Sequence, residues 1–293
     1  MTESGSASVI LGGAGGIGTA CARRLGGHVI LADLDPGRLC EAQERALPEC
    51  ESVTIVTCDV ASRQSIDNLV DEVRATDKSL AALVNVSGVG PNLGGTRDLA
   101  PSDCRRMLDV NLIGATYLLE AFEPLLTNGS VGICVSSIGG HRRLPLQFDD
   151  LLRHPLAPQF PELLEARMCL DGNDVAVYAV SKRGINLQVE LRAAAWGRAG
   201  ARLVSVSPAH IEDTLMGSTI DPSQIQYTRV SALRRSGRAA EIANTIRFLA
   251  SSDASYITGC DLLVDGGAKA SIEHHVDQQE RSSWHRANTR ICG

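Results

Sequence analysis

The chain has 293 residues, 44% of them hydrophobic but only 3% aromatic, and a formal net charge of −6 at pH 7. That length and apolar content suit one large α/β domain, or two small ones, around an aliphatic core of Val, Leu, Ile and Ala. The negative charge and the lack of a long basic stretch argue against a nucleic-acid partner, and the arginine pairs at 23–24, 105–106, 142–143 and 234–235 read as solvated surface.

The nine cysteines are scattered, with no CxxC and no Cys/His cluster. No metal is expected, and they read as small buried hydrophobes in a reducing compartment. The N-terminal "MTESGSAS" has no basic or apolar signal region, and no apolar run reaches the length of a membrane span. The expectation is a soluble cytoplasmic protein.

In chain order, seven short apolar runs alternate with helical patterns. The runs are "ASVILGG" (7–13), "HVILAD" (28–33), "SVTIVTCD" (52–59), "LAALVNVSG" (80–88), "SVGICVSS" (130–137), "ARLVSVSP" (201–208) and "CDLLVDGG" (260–267). They are continuous rather than alternating, as strands buried on both faces should be. Helical patterns follow or precede them, with Ser62 a candidate N-cap for "SRQSIDNLVDEVRA". This order predicts a Rossmann-like, doubly wound parallel seven-stranded sheet with helices on both faces. No repeat or linker divides it, so residues 1–270 are expected to form a single domain. Residues 141–174 interrupt the alternation and predict a small helical insert. The polar stretch 271–293 reads as a flexible tail.

The first strand runs into "GGAGGIG" (12–18) and then a helix. Gly12, Gly16, Ile17 and Gly18 are the candidate phosphate-loop residues. Glycines there permit a tight turn and close backbone approach, and the helix N-terminus offers unpaired N–H groups to a pyrophosphate. The second strand ends at Asp33, where a carboxylate can take both hydroxyls of an adenosine ribose and repel a 2′-phosphate. Leu34 follows rather than an arginine, so NAD(H) is expected over NADP(H). Asp35 reads as a turn acid. Farther on, "VYAVSKRG" (177–184) sets Tyr178 and Lys182 on one face of a helix. Alone this pair is an ordinary solvated face.

Together these stretches resemble the short-chain dehydrogenase/reductase family over residues 8 to about 269. "CDVA" supplies Asp59 and Val60, which resemble the family's adenine-contacting pair. "NVSG" keeps Asn85 and Gly88 of the family's Asn-Asn-Ala-Gly but has Val86 and Ser87 between them. Asn111 of "LDVNLIG", Ser137 of "VSSIGG", Tyr178 and Lys182 are similar, in order, to the catalytic tetrad. The long link from Ser137 to Tyr178, "AAAWGRAG" and "ITGCDLLVDGG" are similar to the 3α-hydroxysteroid dehydrogenase/carbonyl reductase branch. In "SPAHIEDTLMG", Pro208 matches, Ala209 replaces glycine, Asp213 stands in the usual place of the nicotinamide-holding threonine, and Thr214 follows it. His210 reads as a local structural histidine.

The resemblance implies an NAD(H)-dependent enzyme that interconverts a hydrophobic secondary alcohol and its ketone, working as a homodimer or homotetramer, with no membrane partner. A free phenol titrates near ~10, and a neighbouring cation favours its ionised form. Tyr178 would then be the general acid/base, Ser137 would hold the carbonyl oxygen, and Lys182 would bind the nicotinamide ribose. Asn111 would hold a water linking Lys182 to solvent. Two alternatives stand beside this: another reaction on the scaffold (imine reduction, epimerisation or dehydration), or a catalytically silent nucleotide-binding regulator. The insert is expected to form a lid, with Leu144, Leu146, Phe148, Leu151, Leu152, Leu163 and Leu164 covering an apolar substrate, and to alter the subunit contact.

Overall fold

The computed structural model describes residues 5–90, 101–142, 146–168, 174–218 and 226–274. Each apolar run forms a strand: β1 (Ser6–Leu11), β2 (His28–Asp33), β3 (Ser52–Thr57), β4 (Ser79–Asn85), β5 (Val131–Val135), β6 (Arg202–Pro208) and β7 (Asp261–Val264). All ladders are parallel, in the order β3-β2-β1-β4-β5-β6-β7. The chain winds one way from β1 and the other way from β4. The switch point therefore lies between these two strands, where Leu11 pairs with Asn85 at their carboxyl ends.

Burial follows the apolar pattern in the middle of the sheet: every residue of β1 and β5 is buried. The edges depart from the expectation of strands buried on both faces. Thr54 and Thr57 of β3 are exposed, as is Leu262 of β7, because an edge strand has a neighbour on one side only.

The helices are α1 (Gly16–Leu25), α2 (Pro36–Ala46), α3 (Arg63–Arg74), α4 (Pro101–Leu108), α5 (Ala115–Phe122), α6 (Leu146–Leu152), α7 (Phe160–Met168), α8 (Asp174–Arg198), α9 (Leu215–Ser218), α10 (Gln226–Val230), α11 (Ala239–Ala250) and α12 (Ala268–His274). Helices α1, α2 and α11 pack Cys21, Leu39 and Ile246 on one face of the sheet. Helices α3, α5 and α8 pack Leu69, Phe122 and Trp196 on the other. Each of Leu39, Ile246, Leu69 and Phe122 contributes about 1.5–3 kcal/mol by leaving water. Ser62 caps α3 as expected, accepting from the Ser65 N–H at 3.3 Å. Asp35 caps α2, accepting from the N–H groups of Gly37 and Arg38.

The insert is helical, as α6 and α7. Its apolar residues pack inward: Phe148, Leu151, Leu152 and Leu164 are buried in one cluster with residues of α4 and α8. This corrects the picture of a lid lined by those side chains. They form a third core, on the side of α8 that faces away from the sheet. Leu163 is exposed, while Leu144 and the side chain of Leu146 lie outside the described residues. Two further links tie α6 to α8. Arg183 reaches both carboxylate oxygens of Asp149 at 3.1 and 2.6 Å, and Gln188 donates to the Leu152 carbonyl at 3.0 Å. Helix α6 is thus tied to the middle of α8. At the C-terminal end, α12 carries the chain through residues 271–274 in helical form, and 275–293 lie outside the described residues. Among the described residues, no helix is long and apolar enough to cross a membrane.

Candidate active site

The glycine loop sits at the switch point. Gly12 has φ +74°, a conformation that favours glycine, and a Cβ there would meet the Ser87 nitrogen at 2.8 Å. At Gly18 a Cβ would lie 2.2 Å from the Gly12 carbonyl oxygen, and at Gly16 it would lie 2.5 Å from that of Asp213. Bare backbone is therefore required where the loop, the end of β4 and the segment after β6 converge. Helix α1 begins here with Gly15 as its N-cap. It has no side-chain cap and no acidic residue in its first turn, which includes Ile17. Such an end leaves its first amides and its positive dipole end open to an anion. This cradle fits the pyrophosphate of a dinucleotide.

Asp33 lies beside the cradle. Its Oδ2 accepts from the Ala14 N–H at 3.1 Å and its Oδ1 from the Leu34 N–H at 2.8 Å. Each carboxylate oxygen keeps a lone pair for a ribose hydroxyl. Asp59 is fixed by its own turn, with Oδ1 accepting from the Ala61 N–H at 3.0 Å, and Val60 is buried next to it. Asn85, also buried, holds the "NVSG" loop by accepting from the Ser87 N–H at 3.1 Å.

The tetrad residues come from four elements. Asn111 lies in a π-helical turn, Asp109–Gly114, between α4 and α5. The wider turn accommodates an extra residue, as often happens at functional sites. Gly114 lets it close on "CDVA": a Cβ there would meet the Val60 carbonyl oxygen at 2.3 Å. The Asn111 amide grips Val89, accepting from its N–H at 2.8 Å and donating to its carbonyl at 2.9 Å. Its second amide hydrogen goes to Ser181 Oγ at 3.2 Å. Only one lone pair of Oδ1 remains for a water.

Ser137 opens the 3₁₀ turn Ile138–His141, and its Oγ accepts from the Gly139 N–H at 3.1 Å, leaving the hydroxyl hydrogen free to donate elsewhere. Gly139 marks where the reacting groups meet. A Cβ there would lie 3.5 Å from Ser137 Oγ and 3.5 Å from Cδ1 of Tyr178. Lys182, one turn along α8, is 4% exposed, and its Nζ lies 5.7 Å from the Tyr178 ring centroid. It donates to the Val135 carbonyl at 3.0 Å. Burial lowers the ammonium pKa from 10.5 to about 8. A Cβ on Gly88 would lie 3.3 Å from Lys182 Nζ and 3.4 Å from Asn111 Oδ1, so "NVSG" touches both. Cys134, also near this lysine, is fully buried, and desolvation raises its pKa to about 12, which keeps it an inert thiol.

The segment after β6 is used differently from the family pattern. Pro208 ends the strand. Thr214 Oγ1 donates to the Ile211 carbonyl at 2.9 Å and accepts from the Gly217 N–H at 3.0 Å, so this hydroxyl braces its own loop. The Asp213 carboxylate accepts from the Ala239 N–H at 2.7 Å, at the start of α11. His210 is local as expected, bonded to Ser236 Oγ and the Gly217 carbonyl, with burial holding its pKa below the usual histidine range.

Two residues that the sequence did not single out support the Ser137 turn. His141 closes that turn, and its Nε2 lies 2.8 Å from Oδ2 of Asp261 on β7. The other oxygen of Asp261 accepts from the hydroxyls of Ser205 and Ser207 at 2.6 and 2.9 Å. The signal for Asp261 was an acid at the start of an otherwise apolar strand.

A family model described as enoyl-(acyl carrier protein) reductase matches residues 12–147 and 164–269, its gap falling in the insert. The 3-alpha-hydroxysteroid dehydrogenase/carbonyl reductase of Comamonas testosteroni is 31% identical over 228 residues, 73% of this chain and 83% of that protein. The short-chain dehydrogenase/reductase bsc3 of Alternaria brassicicola is 28% identical over 273 residues, 90% of this chain and 96% of its own length. Among solved structures, a short-chain dehydrogenase/reductase from Serratia marcescens superposes with a TM-score of 0.73 at 26% identity, covering 90% of this chain and 98% of that one. With its parallel seven-stranded sheet and glycine loop, the chain belongs to the short-chain dehydrogenase/reductase family.

Proposed function

We propose that the protein is an NAD(H)-dependent oxidoreductase that interconverts a hydrophobic secondary alcohol and its ketone, with Tyr178 as the general acid/base. The observation that carries this is the convergence of the Ser137 hydroxyl and the Tyr178 ring around Gly139, with a buried Lys182 ammonium 5.7 Å from the ring centroid. That cation would favour the phenolate over the neutral phenol, as a general acid/base role requires.

The cofactor's pyrophosphate is assigned to Gly12, Gly16, Ile17 and Gly18, its ribose to Asp33, and its adenine to Asp59 and Val60. Asn85, Gly88 and Pro208 would line the nicotinamide end. When bound, the nicotinamide supplies hydride exchange. The chain's own groups do the rest. Tyr178 takes the proton of the alcohol or returns it to the ketone oxygen. Ser137 donates to that oxygen and fixes its orientation. Lys182 would hold the nicotinamide ribose, and its ammonium lies 5.7 Å from the Tyr178 ring centroid. Asn111 pins the loop at Val89, beside Lys182. The carbonyl reductase relative supports an apolar carbonyl substrate.

The test is absorbance at 340 nm with NADH or NADPH and a panel of cyclic and steroidal ketones. Turnover with a clear kcat/KM advantage for NADH is expected. A clear advantage for NADPH would overturn the cofactor assignment, and binding without turnover on any substrate would favour a regulator.

A further inference from the structure

Lys182 is held along its backbone as well as at its tip. Its Nζ donates to the Val135 carbonyl, and its own carbonyl accepts from Ser136 Oγ at 2.9 Å. The Ser137 turn rests on the same spot. A Cβ on Gly140 would lie 2.9 Å from the Lys182 carbonyl carbon and 3.1 Å from the Arg183 nitrogen. All these contacts come from the end of β5 and the turn after it. Two residues beyond Lys182 stands Gly184, inside the 25-residue helix α8. Glycine disfavours a helix interior more than any residue except proline. Here it makes room for Leu112, whose side chain a Cβ would meet at 2.6 Å. The helix is thus intrinsically weak beside Lys182.

The insert spans that weak point. Arg183, on one side of Gly184, holds both carboxylate oxygens of Asp149. Gln188, on the other side, donates to the Leu152 and Arg153 carbonyls at 3.0 and 3.2 Å and so closes the C-terminal end of α6. Val180 and Leu187, which also flank the glycine, share one apolar cluster with Phe148, Leu151 and Leu152. The Arg183–Asp149 pair is two-pronged, which fixes direction as well as distance. Its side chains are only 28% and 18% exposed. An ordinary surface ion pair has neither property.

Resting on the acid/base reading above, we propose that Asp149 is a positioning residue for the reaction. Through Arg183 it splints α8 across Gly184 and so fixes Lys182 relative to Tyr178. A displacement of about 1 Å in such a site can cost on the order of 10²-fold in rate. The test compares the wild-type protein with Asp149→Asn, Arg183→Gln and the exchanged pair Asp149→Arg/Arg183→Asp. Each is assayed with NADH and the cyclic ketone of the panel above that the wild type reduces fastest. Urea unfolding first sets conditions in which every variant is folded, so that kcat refers to folded protein. Each single variant should lower kcat by roughly tenfold and leave the ketone KM and the NADH dissociation constant within about threefold. The exchanged pair should recover most of the lost kcat. Lower urea midpoints with unchanged kcat would overturn the proposal and leave the pair a structural link between α6 and α8. Weaker binding of NADH or ketone with unchanged kcat would overturn it too. So would an exchanged pair no more active than the single variants, since pairing would not be the agent. A wild-type protein that reduces no ketone of the panel would instead bring down the acid/base reading, and this proposal with it.

Discussion

Replacing Lys182 with methionine should abolish turnover and yet stabilise the fold near neutral pH. The side chain is 4% exposed, and its ammonium pKa falls from 10.5 to about 8 through burial. At about 1.36 kcal/mol per pKa unit, keeping that lysine charged in the folded state costs about 3 kcal/mol below pH 8. Methionine fills similar space without the charge. Against this, the Val135 carbonyl loses its donor at 3.0 Å, a loss of about 1–3 kcal/mol. The net gain near pH 7 is small, but its pH dependence is distinctive. The folded pKa lies below the unfolded one, so between them the unfolded chain binds more protons and wild-type stability rises with pH. The variant lacks that rise, and its advantage should shrink by about 2 kcal/mol between pH 7 and pH 9.5. Urea unfolding of both proteins at the two pH values measures this. A stability difference that does not change with pH, or that grows with pH in the variant's favour, would refute the reasoning.

Three other substitutions probe the site. Tyr178→Phe should lower kcat by roughly 10²–10⁴-fold while NADH still binds, as read by fluorescence titration; near-normal turnover would remove Tyr178 from its assigned role. Gly16→Ala places a methyl 2.5 Å from the Asp213 carbonyl oxygen, and NADH affinity should fall by roughly tenfold or more; a dissociation constant within twofold of wild type would count against the cradle. Asp261→Ala strips the acceptor from two buried serine hydroxyls and from His141, and should cost about 1–3 kcal/mol in urea unfolding and lower kcat by loosening the Ser137 turn; unaltered kcat would separate this network from catalysis.

Much of this architecture is readable from the chain because its signals are local. A strand buried on both faces is an unbroken apolar run, and a phosphate loop is a glycine cluster between such a run and a helix. The features that escaped depend on contacts between distant segments. Nothing in "LDVNLIG" announces a π-helical turn, nor the close approach of its Gly114 to the Val60 carbonyl of a distant segment. Whether Phe148 and Leu152 face a substrate or a core depends on where α4 and α8 lie, and they face a core. Spacing left Asp213 and Thr214 both eligible for the nicotinamide; the first is bonded to the start of α11 and the second to its own loop.

The central claim is hydride exchange with a carbonyl carbon, proton-coupled through Tyr178. The most direct measurement incubates the protein with NADH deuterated at the transferring position and an apolar cyclic ketone, and follows the product by mass spectrometry. Wild-type protein should yield an alcohol with one deuterium on the carbinol carbon, and Tyr178→Phe should yield almost none. NADH that binds but is not consumed, or a product without deuterium at that carbon, would contradict the account.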